Sequence, residues 1–181
     1  AAFTDTLTAN ATLRSVGGLP FSLALAWHDT DLSHFVSEDQ SLSLVTTGAL
    51  NVSGAVSAPD DLSGALRITR LEVSRDQGRV EAAQPIQIRF DHGRFHIESL
   101  ELTALGSRLS VAGGGRLPAE LDLDVRGEGD LAALEVIGQP FYSARGQFGI
   151  TAHVGHSAAG GWTLRGEALL RNAALDLGLP V

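Results

Sequence analysis

Asp122 and Asp124 are the residues in this chain that come nearest to a paired-carboxylate site, two acids placed two positions apart as general acid–base chemistry would use them. They alternate with Leu121, Leu123 and Val125, however, so on an extended strand both carboxylates fall on the wet face opposite the aliphatic one. His92 with His96, His153 with His156 and His28 with His34 invite a metal reading, but none of these pairs has a third ligand type at a fixed spacing. His92 falls in an expected turn and the others read as exposed strand and loop residues. Asp29 with Asp31, and Asp60 with Asp61, read as local backbone partners in capping and turn settings. No nucleophile elbow, phosphate loop or dinucleotide fingerprint occurs. With no cysteine, thiol nucleophiles, thiolate metal sites and disulfides are excluded. Asn51-Val52-Ser53 matches a glycosylation acceptor inside an expected strand. The residues therefore predict no enzyme, no metal and no cofactor.

The elements that would position these side chains are strands. The chain has 181 residues, 44% of them hydrophobic but only 6% aromatic, with 21 glycines, an all-β texture of Leu, Val, Ile and Ala broken by turn formers. A net charge of −8 does not suit a nucleic-acid or anionic-membrane partner, which selects basic stripes. All 13 basic residues are arginine, spread without a cluster. No apolar run approaches the roughly 20 residues that span a bilayer. The chain begins at Ala1 and contains no Met, so a longer parent protein is expected, with any anchor or targeting segment outside these residues.

Alternation with a period of two marks Leu23/Leu25/Trp27, Leu50/Val52/Val56, Ile86/Ile88/Phe90, Leu121/Leu123/Val125 and Phe148/Ile150/Val154 as half-buried strands, and Leu66/Ile68 belongs with them. Turn signals stand between them at "APDD" (58–61), "RDQG" (75–78), "DHG" (91–93) and "GGG" (113–115). The segment from Ile86 to Leu102 reads as a hairpin in which Gly93 takes a positive φ. Beyond Ile97 the apolar parity changes to Leu100 and Leu102, and a bulge near Glu98 and Ser99 would restore a common face.

The chain also repeats itself. "LTANATLRSVGGLP" from Leu7 to Pro20 lines up with "LGSRLSVAGGGRLP" from Leu105 to Pro118, and "GALNV" from Gly48 lines up with "GQFGI" from Gly146, both at an offset of 98. "LSGALRI" (62–68) matches "LRGEALL" (164–170) at an offset of 102, the extra residues falling in a turn. We read one continuous domain over 1–181 holding almost two copies, approximately 1–98 and 99–181. One short helix per copy is expected. Asp130 would cap one carrying Leu131, Leu134 and Ile137 and closed by Gly138, and Asp31 with Leu32, Phe35 and Val36 would be its equivalent.

An antiparallel sheet with one aliphatic face must hide it in a sandwich, in a closed barrel or by curling over itself, and glycine within strands (Gly54, Gly64, Gly127, Gly166) favours curvature. The face either fills a core or lines a passage. Trp27 continues the parity of Leu23 and Leu25, and Trp162 has a turn-like setting suited to a rim. The succession "LPFSLALAW…DL", "GALNVSGAVSAPDDLSGALRITRLEV", "AAQPIQIRFDHGRFHIESLELTALGSRLSVAGGGRLPAELDLDVRGEGDL" and "GEALLRNAALDLGLP" resembles the TamB family of translocation and assembly module proteins, within the AsmA-like group. The resemblance covers nearly the whole chain and rests on Gly, Pro and aliphatic positions.

That resemblance implies an all-β fold, an elongated, curved, mainly antiparallel sheet folded over a hydrophobic groove. It further implies a periplasmic location, an inner-membrane anchor outside these residues, an Omp85-type outer-membrane barrel as partner, and passage of phospholipid acyl chains between the two membranes. The lining candidates are then Leu23, Leu25, Leu50, Val52, Val56, Leu66, Ile68, Ile86, Ile88, Phe90, Leu121, Leu123, Val125, Phe148, Ile150 and Val154. A chaperone-like module that captures extended segments by strand addition in outer-membrane protein assembly is the alternative.

Overall fold

Among the described residues, alternating side chains put twelve strands into one antiparallel sheet. They are β1 (Thr6–Leu13), β2 (Pro20–Asp31), β3 (Leu42–Ala55), β4 (Ala58–Arg75), β5 (Gly78–Ala82), β6 (Ile86–Asp91), β7 (Arg94–Ser99), β8 (Glu101–Ala104), β9 (Ser107–Arg116), β10 (Glu120–Asp130), β11 (Ser143–Ser157) and β12 (Gly161–Asp176). The computed structural model describes residues 6–15, 17–33, 42–75, 78–116, 119–136 and 143–176. The long strand β4 pairs with β5 through Glu72–Arg75 and with β6 through Gly64–Ile68, so β5 and β6 form one line broken between Ala82 and Ile86. In the same way β7 and β8 form one line against β9. Among the described residues the sheet is thus a meander of ten lines, each beside its neighbours in sequence.

The hairpin expected around residue 92 turns on His92 and Gly93, between the pair Asp91 and Arg94. Both central residues lie in the left-handed region, at φ 48° and 71°, as do Leu105 and Gly106 at 47° and 78°. Such primed turns match the right-handed twist of the flanking strands. The expected bulge is present. Gln87 faces Ser99 and the next pair is Ile88 with Ile97, which leaves Glu98 over and returns Leu102 to the apolar face, opposite Leu109.

Three expectations need correction. Residues 58–61 belong to β4, and the turn before it is Val56-Ser57, closed by the pair Ala55 and Ala58. Val56, taken as a lining candidate, therefore sits at a turn, 57% exposed. Gly113–Gly115 also lie within a strand, β9, because a Cβ there would fall 2.2, 2.2 and 2.1 Å from the carbonyl oxygens of Asp122, Phe95 and Glu120. Close approach of neighbouring backbones, and not a turn, requires these glycines. The reversal follows at Arg116, whose carbonyl accepts from Ala119 N at 2.8 Å.

The predicted helix is a 3₁₀ helix, Leu131–Val136. Asp130 caps it, its Oδ1 accepting from Ala132 N at 2.9 Å, and Asp31 makes the same bond to Ser33 N at 2.8 Å. Ile137, Gly138, Phe35 and Val36 lie outside the described residues, as do the side-chain surroundings of Leu134. The two copies share strand order and facing but not register. Leu25 faces Leu50, whereas its counterpart Leu123 faces Val154, six positions beyond Phe148, the counterpart of Leu50. An even displacement keeps every side chain on its face, so the duplication tolerates it. Among the described residues the buried apolar side chains are Ile86, Ile97, Leu131 and Ala144, a small core for such a sheet.

Candidate functional site

Cross-strand partners share a face, so the register identifies the site directly. One row of successive partners crosses the whole sheet as Ala9, Leu25, Leu50, Leu66, Ile88, Ile97, Gly113, Leu123, Val154 and Leu164. A second row runs Ala11, Leu23, Val52, Gly64, Phe90, Phe95, Gly115, Leu121, His156 and Trp162, with His156 its one polar member. A third, shorter row joins Ala82, Leu102, Leu109, Gly127, Ile150 and Ala168. Every lining candidate except Val56 falls on this apolar face.

At one end this face is not filled by the protein's own atoms. A cavity of about 600 Å³ is lined by Leu42, Val73, Val80, Leu102, Thr103, Ala104, Ser107, Arg108, Leu109, Leu131, Ala133, Phe148, Gly149, Ile150, Ala168 and Leu170. Leu42 is on β3 and Leu170 on β12, seven strand-to-strand steps apart along the sheet. At about 4.8 Å per step they would lie roughly 34 Å apart in a flat sheet. A hollow of this volume touches both only because the sheet curls. The 3₁₀ helix sits at this end, packed on β11 and reaching β5, with Leu131 only 2% exposed.

Of the lining candidates named from the sequence, Phe148 and Ile150 line this cavity. Ile86, 3% exposed, is core. The others, Val56 apart, extend the same face beyond the cavity. Sequence reasoning missed Val73, Val80 and Leu102 as lining residues, although the parity change at Leu100 and Leu102 was a signal for the last. Trp27 is half-buried and donates from Nε1 to Thr46 Oγ1 at 3.0 Å, while Trp162, 71% exposed, packs against His156 with ring centroids 4.8 Å apart and the ring planes tilted by 47°. Trp162 opens β12 rather than sitting in a turn.

The opposite face carries the charge. Arg70 bridges Asp29 (2.7 Å) and Glu72 (3.0 Å), and Arg79 reaches Glu72 (2.9 Å) and Glu81. Arg89 pairs with Glu98 at 2.6 Å and Arg108 with Glu101 at 2.8 Å. Loss of solvent pushes the Asp29 carboxyl up, but hydrogen bonds from Arg70 and Thr47, helped by the charges of His28 and Arg70, outweigh it and hold the group below its ordinary value of 3.8. Hydrogen bonds to Glu72 and Asp29 raise the Arg70 guanidinium in turn. Asp122 and Asp124 lie on this wet face with His153 Nδ1 3.7 and 3.2 Å away, an exposed grouping of little energetic weight. Among the described residues no three His, Cys, Asp or Glu side chains are grouped to hold a metal ion, and no helix is long and apolar enough to cross a membrane.

What the fold and site define is an all-β protein with one open apolar face. No known family model matches the chain, and neither a curated protein nor a solved structure is detectably similar to it.

Proposed function

We propose that the chain is a non-enzymatic lipid-shielding segment, whose curled apolar wall covers phospholipid acyl chains on their way between the inner and outer membranes of a bacterial envelope. The observation that carries this is the curled hollow, bordered by aliphatic side chains from β3 to β12. Each methylene withdrawn from water is worth about 0.8 kcal/mol, so a dozen contribute on the order of 10 kcal/mol before ordering costs. Rows of mainly aliphatic residues at strand spacing offer few polar contacts to hold a chain in one place, which suits sliding better than permanent storage. The resemblance of the repeat to the TamB family supplies the rest of the proposal: a periplasmic setting, an anchor elsewhere in the full-length protein and an Omp85-type barrel as partner.

Native mass spectrometry of the protein after extraction from envelope membranes tests this reading. We expect bound phospholipid, lost on Ile150→Asp but kept on Thr151→Asp, whose side chain lies on the wet face. Absence of lipid from the wild-type protein, or equal lipid on both folded variants, overturns it.

A further inference from the structure

We infer that a hollow on the rim of the curled wall takes a zwitterionic phospholipid headgroup, its phosphate against β7 and its ammonium group against β10. The inference rests on the lipid-shielding reading and names which lipids the wall would accept. The hollow, of about 710 Å³, is lined by residues of β6, β7, β9, β10 and β11, all in the middle of the described sheet. It lies where strands end: Arg94 opens β7 and Glu120 opens β10, and both pair with Arg116, the last residue of β9. One residue inward, Phe95 and Leu121 of the apolar row border the same hollow. One further, His96 and Asp122 stand on the wet face on either side of Gly114.

The charges around the hollow are sorted by strand. Arg89 and Glu98 cancel each other at 2.6 Å, and Asp91 is engaged by His92 Nδ1 at 2.6 Å. What remains is Arg94 with His96 on β7, and Glu120 with Asp122 on β10. Among the described residues Arg94, His96 and Glu120 have no ion pair or side-chain hydrogen bond, and Asp122 has only His153 Nδ1 at 3.7 Å. Between the two walls β9 contributes Gly114 and Gly115, and hence no side chain. The walls are two strand spacings apart, roughly 10 Å. A basic wall facing an acidic one across an unobstructed floor is complementary to a ligand that carries both signs. A purely anionic headgroup would face Glu120 and Asp122 with no counter-charge, in a chain whose net charge is already −8. Because Phe95 and Leu121 share the hollow, acyl chains joined to the headgroup pass onto the wall there. Exposed charge contacts hold weakly, so the site selects a lipid without trapping it.

The test is native mass spectrometry of the intact protein with an equimolar mixture of two synthetic phospholipids, alike in their acyl chains and carrying ethanolamine or glycerol headgroups. We expect the ethanolamine lipid bound in about three- to fivefold excess, the scale of exposed charge contacts. Glu120→Gln together with Asp122→Asn should bring the ratio to about one, and Arg94→Gln should lower the bound ethanolamine lipid about threefold. Asp124→Asn together with Glu128→Gln removes the same charge from β10 outside the hollow and should keep the wild-type ratio. All these side chains are exposed, so each variant should keep the wild-type melting curve. An even ratio in the wild-type protein overturns this inference and leaves the shielding wall in place, whereas no bound phospholipid overturns both. A ratio that collapses equally in the Asp124 and Glu128 variant also overturns it, because the selection would then belong to net charge. So does soluble glycerophosphoethanolamine that binds as tightly as the lipid, which would make the hollow a site for a free zwitterion.

Discussion

Trp27 and Thr46 are locked together across β2 and β3, the indole Nε1 donating to the hydroxyl at 3.0 Å while the ring covers Gly48. Thr46 is 3% exposed, one of the few buried polar residues among those described. Thr46→Val would leave the indole N–H without its partner and should cost about 1 kcal/mol. Gly48→Ala should cost more, about 1–3 kcal/mol, since its Cβ would lie 2.6 Å from Trp27 Cζ2 and 2.7 Å from the Arg67 carbonyl oxygen. Urea unfolding followed by tryptophan fluorescence measures both, and a neutral Gly48→Ala would contradict this packing.

Two glycines on neighbouring parts of the sheet should respond oppositely to alanine. Gly113 has φ +124° and its Cβ would meet the Asp122 carbonyl oxygen at 2.2 Å, so Gly113→Ala should destabilise by at least about 1–3 kcal/mol. A Cβ on Gly149 meets nothing within 4 Å, and Gly149→Ala should be neutral or stabilise by up to about 1 kcal/mol. Melting temperatures of the pair provide the comparison.

Asp29 should contribute to acid sensitivity. Its carboxyl is held below 3.8 in the folded protein, so its stabilisation is fully present above that pH and is lost as pH falls through the lower, folded value. Asp29→Asn suits the left-handed φ of 47° and removes the charge. The variant should be less stable than wild type at neutral pH, with the gap narrowing as pH drops below 3.8. A gap that stays constant down to strongly acid pH would show that Arg70 is not the cause.

The 3₁₀ helix depends on its cap and its anchor. Asp130→Ala removes the acceptor for Ala132 N and should cost about 1 kcal/mol. Leu131→Ala should cost about 2–4 kcal/mol, because that side chain is almost fully enclosed. If both substitutions left the denaturant midpoint unchanged, the helix would not be holding this end of the sheet.

The strand identities, the His92-Gly93 hairpin and the bulge at Glu98 were legible because period-two alternation and turn chemistry are local. Val56 was misplaced for the same reason: apolar parity carries on across a two-residue turn and does not register where the chain reverses. Gly113–Gly115 looked like a turn in sequence, since what forbids side chains there is the backbone of other strands. The cavity was the least legible feature. Val80 and Leu102 sit on strands of five and four residues, too short to establish a period, and Leu42 and Leu170 border one hollow only through the curvature of everything between them.

Because the backbone of each line of the meander pairs, among the described residues, only with lines adjacent in sequence, cooperativity along it should be short-ranged, as in repeat arrays. Single hairpins can then open while their neighbours stay shut, giving amide exchange that differs from line to line. An architecture of this kind gains or sheds hairpins by duplication or deletion without redesign of its middle, which makes its length an evolutionary variable.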